Sequence, residues 1–174
     1  NGINKNDNSG QSVASAGDVN ADGVMDIIIM APFALANTVQ TGQSYVVFGR
    51  LNGWSAALNL SNLSANNGFT LNHIYSNGAS TGSSSVASAG DINEDGIADI
   101  IIGVYTASPN GQGSAGQSYV VFGRSAGWPA ALNLSSLDGS NGFVINGIHA
   151  TDGSGVSVAS IAVSYTHLTL PTIL

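Results

Sequence analysis

The chain has 174 residues, of which 43% are hydrophobic, 7% are charged and 23 are glycine, a composition that predicts an all-β protein of short strands and tight turns. The net charge of −7 argues against nucleic acid or an anionic membrane surface as a partner. The absence of cysteine excludes disulfides, zinc–thiolate sites and a cysteine nucleophile.

Four short runs in the first part of the chain are apolar or alternating and are separated by turn residues. They are rich in β-branched and aromatic residues, so each predicts a β-strand. The second run contains the three consecutive isoleucines 27–29, and this continuous pattern predicts a strand covered on both faces. The predicted strands are residues 12–16, 26–30, 43–48 and 68–74.

The longest apolar run of the chain, residues 27–36, begins next to Asp26 and contains Pro32. It is too short to cross a bilayer, which requires about 20 apolar residues in a helix. We therefore expect no membrane insertion in this segment.

The same pattern returns later in the chain. Residues 12–18 read SVASAGD, and residues 85–91 repeat these letters at an offset of 73. Residues 41–69 match residues 115–143 at 21 of 29 positions. A repeat of this length predicts a repeat architecture with one structural unit per copy. The second copy predicts strands at residues 85–89, 99–103, 117–122 and 142–148.

A third copy begins near the carboxyl end, where residues 146–160 align without gaps to residues 1–15. The chain therefore holds two full repeats and the opening of a third. We expect the units to span residues 1–74, 75–148 and 149–161.

The repeat pattern breaks after Ser160, where it predicts Ala-Gly-Asp but the chain continues differently. Residues 163–172 read VSYTHLTLPT, which resembles one reading frame of a sequencing-library adapter. We expect residues 162–174 to be such an artefact and exclude them from the fold. The alternative is a natural, divergent terminus.

Seven of the ten acidic residues lie in two nine-residue windows, 18–26 and 91–99, and six of the seven are the aspartates of the shared spacing D-x-N-x-D-G-x-x-D. Calcium prefers six to eight oxygen ligands, and alternate side chains of a tight loop can converge on one ion. Glycine at position 6 permits the sharp turn, and position 7 can contribute its backbone carbonyl. The predicted calcium ligands are Asp18, Asn20, Asp22, Val24 and Asp26, and Asp91, Asn93, Asp95, Ile97 and Asp99.

The competing interpretation is a turn without an ion, because Asp, Asn and Gly favour turns for backbone reasons alone. Such a turn must hold three carboxylates close together, at a cost of about 1 kcal/mol per pair even in water. An EF-hand is excluded because Ile29 and Ile102 stand at position 12, where that loop needs an acidic ligand.

The motifs in order are G-x-S-V-A, G-D-x-N-x-D-G-x-x-D-I-I-I, A-P, and a later S-Y-V-V-F-G. Together they resemble the FG-GAP repeat of integrin alpha-subunit propellers and of many prokaryotic surface proteins, over residues 1–161. The resemblance implies a fragment of a β-propeller, with two four-stranded blades, the start of a third and further blades in the parent protein. In that family the aspartate loop binds calcium, which implies the same role for the aspartates and asparagines of both loops.

The resemblance has departures at strand ends. Ser9 stands where the family has phenylalanine, and residues 30–32 and 103–105 read Met-Ala-Pro and Gly-Val-Tyr where it has Gly-Ala-Pro. None of these positions is a predicted ligand.

We expect no catalytic site. His73 and His149 lack a partner at ligand spacing, His167 lies in the suspected artefact, and no G-x-S-x-G elbow accompanies an acid and a histidine in a usable order. Trp54 and Trp128 occupy equivalent positions in the two repeats, which favours packing between blades over a unique ligand platform.

Two functional interpretations remain open. The first is a non-enzymatic, calcium-binding module of a secreted or cell-surface protein that acts in adhesion or binds a protein or glycan. The second is an accessory propeller beside an extracellular hydrolase that acts on phospholipids or polysaccharides.

Overall fold

The computed structural model describes residues 1–36, 39–74 and 85–160. The predicted start of the second repeat, at residues 75–84, and the suspected artefact at residues 162–174 lie outside the described residues. Within the described ranges, no helix is long and apolar enough to cross a membrane.

The first sheet is built from the first repeat. Its antiparallel strands lie in the order β1-β2-β5-β6, and strand β10 of the second repeat adds to its edge. A separate hairpin, β3–β4, follows β2. The strands are β1 (Val13–Gly17), β2 (Asp26–Ala31), β3 (Leu35–Ala36), β4 (Val39–Gln40), β5 (Gln43–Val47) and β6 (Gly68–Asn72).

The second sheet repeats this arrangement in the order β11-β9-β8-β7. All eight predicted strands are present, with ends within two residues of the prediction. The strands of the second repeat are β7 (Ser85–Gly90), β8 (Asp99–Val104), β9 (Gln117–Val121), β10 (Ala131–Asn133) and β11 (Gly142–Asn146), and all but β10 lie in the second sheet. Short 3₁₀ helices cover Leu60–Asn62, Pro109–Gly111 and Leu134–Ser136.

Strand β10 was not expected from the sequence. It belongs to the second repeat but pairs in parallel with β6 of the first, with Leu132 opposite Leu71. The Asn72 side chain donates to the Asn133 side-chain oxygen at 2.9 Å, and the Thr70 N–H donates to the Ala130 carbonyl at 3.0 Å. The pairing of β10 with β6 therefore joins the two repeats by backbone hydrogen bonds.

The main core lies between the two sheets. Ile28 of β2 faces the second sheet, whereas Ile100 and Ile102 of β8 face the first, so the sheets stack front to back in the same orientation. Trp128 stacks on Phe69 with ring centroids 4.0 Å apart and an interplanar angle of 11°. The packing role expected of Trp128 is therefore confirmed. The core is formed by Ile28, Met30, Val46, Phe48, Phe69 and Leu71 with Val86, Ile100, Ile102, Tyr119, Val121 and Trp128.

The outer face of the first sheet differs from the prediction. Ile27 is 47% exposed and Trp54 is 51% exposed, whereas a strand covered on both faces and a packed tryptophan were expected. Within the described residues no second sheet covers this side, and a smaller cluster around Tyr45 and Val47 fills only part of it.

His73 is a buried group that has no counterpart in the second repeat, where Gly147 stands at the equivalent position. One ring nitrogen, Nε2, lies 3.0 Å from the Ser44 hydroxyl, while Nδ1 has no hydrogen-bond partner. Burial lowers the pKa of His73 to about 4. The histidine is therefore neutral in the folded protein at pH 7, which fits the structural role expected for it.

We predict that His73 makes stability fall in mild acid. The unfolded chain gains a proton on this side chain near pH 6.5, but the folded protein gains it only near pH 4. The contribution of His73 is therefore complete above pH 6.5 and is lost as pH falls to 4, by about 3 kcal/mol in total. Urea unfolding between pH 4 and 7 should show a shallower acid slope for His73→Gln than for the unmodified chain.

The matched control is His149→Gln, because His149 is exposed. This variant should keep the slope of the unmodified chain. Equal slopes for all three proteins would contradict a buried, neutral His73.

Candidate functional site

The two aspartate loops connect equivalent strands. Residues 18–25 join β1 to β2, and residues 91–98 join β7 to β8. Position 4 of each nine-residue motif has a left-handed backbone, with φ of 57° at Ala21 and 61° at Glu94. Position 6 is also left-handed, with φ of 84° at Gly23 and 85° at Gly96, which explains the glycine there. Both loops therefore follow the same tight path.

In the first loop the acidic side chains are held by backbone N–H groups. The Asp18 carboxylate accepts from the N–H groups of Asp22 and Gly23 at 3.0 and 2.8 Å. The Asp22 carboxylate accepts from the Val24 N–H at 2.8 Å and from the Asn20 side-chain amide at 2.9 Å. Asp18, Asn20 and Asp22 thus lie together in the loop, with Asp22 exposed and the other two half-buried.

The second loop reproduces this network. Asp91 accepts from the N–H groups of Asp95 and Gly96 at 3.0 and 2.8 Å, and Asp95 accepts from the Ile97 N–H at 2.9 Å. The Asn93 amide donates to Asp95 at 2.9 Å. Two separate stretches of sequence therefore produce one geometry.

The last acid of each motif lies beneath the loop. Asp26 is 1% exposed, and its two carboxylate oxygens accept from the N–H groups of Val19 and Gly49 at 2.9 and 2.8 Å. Asp99 is fully buried and binds the N–H groups of Ile92 and Gly123, both at 2.8 Å. These carboxylates connect the loop to the chain that follows the third long strand of each repeat.

The pKa of Asp26 is raised to about 6, because burial and, to a smaller extent, the nearby charges of Asp22 and Asp18 outweigh the lowering effect of its two backbone hydrogen bonds. Burial likewise raises the pKa of Asp99, with Asp95 and Asp91 acting in the same direction. Each loop is therefore a centre of negative potential with no lysine or arginine in its own sequence.

Gly49 and Gly123 are site residues that sequence reasoning missed. A Cβ atom on Gly49 would lie 2.3 Å from the Met25 carbonyl oxygen, and one on Gly123 would lie 2.3 Å from that of Ala98. Glycine is needed because the backbone passes directly against the loop. The signal was available, since QSYVVFGR occurs in both repeats.

The structure thus brings together the first three side-chain ligands predicted in each loop and places the fourth, the last aspartate of the motif, below them. Val24 and Ile97 lie at the end of each loop, positioned by their N–H groups. Among the described residues, no group of three or more acidic or histidine side chains is close enough to hold a metal ion. The assignment of these residues as calcium ligands stays a prediction.

We predict that Asp26 and Asp22 differ sharply in their effect on stability without calcium. Asp26→Ala leaves two N–H groups without their acceptor, and each buried orphan costs about 1–3 kcal/mol. Urea unfolding in EDTA at pH 7 should therefore show a free energy of unfolding lower by about 2–4 kcal/mol.

Asp22→Ala is the matched control, because it removes an acid of the same loop from the exposed side. Its loss should be clearly smaller, since water can replace the lost acceptor. If Asp22→Ala destabilises the chain as much as Asp26→Ala, the buried carboxylate does not hold the loop in place.

The comparisons with known proteins agree with the repeat structure. The family model described as FG-GAP repeat matches residues 9–47 and 83–121, which include both aspartate loops and the strands on either side of them. No curated protein matches the chain. The two matches fall on equivalent parts of the two sheets, so the chain contains two consecutive FG-GAP repeats and each sheet is one β-propeller blade.

Proposed function

We propose that this chain is a calcium-binding β-propeller module of a secreted or cell-surface protein, that it is not an enzyme, and that it acts in adhesion or in binding a protein or glycan. The coarser part rests on the family, because FG-GAP repeats are typical of propeller modules in adhesion and ligand-binding proteins. Calcium binding and the location outside the cell go beyond the family and are part of this proposal.

The observation that carries calcium binding is the identical oxygen-rich loop in both blades. Asp18, Asn20 and Asp22 offer carboxylate and amide oxygens, the ligands that calcium prefers. Each carboxylate oxygen has a second lone-pair direction beside the one used by its N–H donor. The donor set therefore fits calcium in type. The Asn20 amide donates to the Asp22 carboxylate, and its oxygen accepts from the Asp22 backbone N–H at 3.1 Å, which leaves one lone-pair direction of this oxygen for an ion.

The electrostatics support the same proposal. Three carboxylates lie within one nine-residue loop, and the charges of Asp18 and Asp22 disfavour ionisation of Asp26. A bound divalent cation supplies positive charge at this point. The loop residues orient the oxygens through the backbone conformation at positions 4 and 6, which is the same in both copies.

The first loop also lies at the contact between the two blades. The Asp18 carbonyl accepts from the Ala98 N–H at 3.2 Å, and the Val19 carbonyl accepts from the Arg124 N–H at 3.0 Å. Ordering this loop therefore orders one edge of the second blade. We propose that the ion stiffens the join between blades and so fixes the surface that meets a ligand.

The proposed location follows from the affinity expected of such loops. Calcium sites of extracellular modules work at dissociation constants of about 10⁻⁴–10⁻³ M. Exposed loops without a bidentate glutamate suit this weak range better than the tighter range of cytosolic sensors.

We predict that the chain binds calcium with a dissociation constant on the order of 10⁻⁴ M. Replacing Asp22 and Asp95 together by alanine removes one exposed carboxylate from each loop and should abolish uptake at 1 mM calcium, about ten times that constant. Equilibrium dialysis with radioactive calcium measures this uptake directly.

The control carries the same change in charge outside the loops, with Asp138 and Asp152 replaced by alanine. It should bind as much calcium as the unmodified chain. Unchanged uptake by the loop variant, or equal loss in the control, would refute the assignment of the loops as calcium sites.

We also predict that calcium raises the melting temperature and that magnesium has much less effect. A ligand bound only by the folded state adds about 2.7 kcal/mol at a hundredfold excess over its dissociation constant. Magnesium requires octahedral geometry and retains its waters, so these loops should bind it poorly. Scanning calorimetry with 10 mM of either ion tests this, and equal shifts would contradict a calcium-specific site.

A further inference from the structure

We propose that Asn52 is a self-modification site, at which the folded chain converts its own asparagine side chain to a carboxylate without an enzyme. The reaction is succinimide formation at the Asn52-Gly53 pair, followed by hydrolysis. The site lies in the turn that follows β5, and the proposal depends neither on calcium binding nor on the proposed function.

The chemistry needs only the two residues of the pair and water. The Gly53 backbone nitrogen attacks the side-chain carbonyl carbon of Asn52, loses its proton and displaces ammonia, which closes a five-membered succinimide ring. Water then opens the ring at either carbonyl and leaves aspartate or isoaspartate. Glycine favours the first step because it has no Cβ atom to hinder the approach. The net result is one added negative charge.

The sequence contains seven Asn-Gly pairs, and the structure describes six of them. The six begin at residues 1, 52, 67, 110, 141 and 146, whereas the pair at residues 77–78 lies outside the described residues. Because all six contain the same two reacting residues, the way the fold holds each pair should decide how fast it reacts. The six pairs therefore form an internal comparison.

Two of these pairs lie at equivalent positions, at the start of β6 and β11, and are held in the same way. The Asn67 side chain accepts from the Ser64 N–H at 2.7 Å and donates to the Asn62 carbonyl at 3.2 Å. The attacking nitrogen is also engaged, since the Gly68 N–H donates to the Ser64 carbonyl at 3.0 Å. The Asn141 side chain makes the equivalent two bonds at 3.1 and 3.0 Å. These bonds must open before a ring can close.

The pairs at the two ends of the described chain are held as well. The Asn1 side chain donates to the Asn59 side-chain oxygen at 2.9 Å. The Asn146 side chain accepts from the Gln117 side chain at 2.6 Å. The Gly147 N–H, which would have to attack Asn146, donates to a backbone carbonyl at 2.8 Å. Four of the six pairs are therefore restrained by hydrogen bonds.

Asn52 is free of these restraints. Its side chain is exposed and, like the Gly53 N–H, has no hydrogen-bond partner among the described residues. Gly53 is left-handed at φ 79°, and a Cβ atom there would meet no atom within 4 Å. The turn is closed outside the pair, by the bond of 3.0 Å from the Trp54 ring nitrogen to the Arg50 carbonyl. The pair can therefore change conformation without breaking the contact that holds the turn.

The second blade shows that this turn stays accessible when a blade packs beside it. Its equivalent turn contains Ala126 and Gly127 and is closed by the same bond, from Trp128 to the Arg124 carbonyl at 2.9 Å. Trp128 is 6% exposed, yet Ala126 and Gly127 remain exposed. Packing on the tryptophan therefore leaves the tip of the turn open to water. The same comparison shows that the turn forms with alanine at the position of Asn52.

Asn110 is the other exposed asparagine whose side chain has no hydrogen-bond partner among the described residues. It lies in the 3₁₀ helix Pro109–Gly111, where the Gln112 N–H donates to the Pro109 carbonyl at 2.9 Å and closes the backbone around the pair. We therefore expect Asn110 to react more slowly than Asn52 and faster than the four held pairs.

The product changes the surroundings of Trp54. A carboxylate at residue 52 lies two residues from Arg50, whose guanidinium carbon lies 4.5 Å from the centre of the Trp54 ring. Isoaspartate also lengthens the backbone by one carbon inside the turn that this tryptophan closes. The modification therefore acts on the contacts that hold the exposed tryptophan of the first blade.

The test incubates the full chain in mildly alkaline buffer and follows each pair by peptide mapping with mass spectrometry. We expect Asn52 to react at least about tenfold faster than the four held pairs, because their hydrogen bonds must open first. In concentrated urea the six rates should become similar, since the unfolded chain holds none of the pairs. Labelling by an isoaspartyl methyltransferase gives a second readout of the same product.

Asn52→Ala is the matched variant, because it copies the turn of the second blade. It should remove the fast reaction and leave the rates at the other described pairs unchanged. A folded chain in which Asn67 or Asn141 reacts as fast as Asn52 would overturn the proposal. So would a rate at Asn52 that is at least tenfold lower in the folded chain than in urea, because the turn would then protect the pair.

Discussion

The two hydrogen bonds of the buried Asp26 carboxylate hold the first aspartate loop against the chain that follows β5. One oxygen binds the Val19 N–H inside the loop, and the other binds the Gly49 N–H, which follows β5. Because Asp26 is also the first residue of β2, one side chain fixes two strands and the loop between them. Gly49 must be glycine for the backbone to approach this closely. Asp99 and Gly123 repeat the arrangement in the second blade.

The same constraint extends from one blade to the next. With Val19 fixed by Asp26, the carbonyls of Asp18 and Val19 point at the second blade and accept its N–H groups at 3.2 and 3.0 Å. At this point Gly17 also leaves no room for a Cβ atom, which would lie 2.4 Å from the Ala98 side chain. The loop is therefore both the candidate ion site and part of the blade contact. A change in how well the loop is ordered should therefore alter the contact between the two blades.

Much of the fold could be predicted from the sequence because each unit appears twice. Strand runs such as Gln43–Val47 have local patterns, and the loop motif carries its own glycine and turn residues. β10 could not be found this way, since Ala131–Asn133 is short and its partner comes from another repeat. The roles of Gly49 and Gly123 depend on backbone proximity across the sheet, which a linear pattern does not contain. The ligand positions were predictable as a loop, but not the burial of Asp26 beneath it.

Because the two repeats are nearly identical in sequence, equivalent residues can be compared in two different surroundings. Trp54 and Trp128 each lie under an arginine side chain at 4.5 Å and donate to its backbone carbonyl, yet only Trp128 is covered by a phenylalanine. The local conformation of the tryptophan is therefore set within its own blade before any neighbour arrives. A surface shaped in advance loses little side-chain entropy when a neighbouring strand packs on it. Each blade consequently presents the same preformed face to the blade before it, and a propeller can grow by repeating one contact.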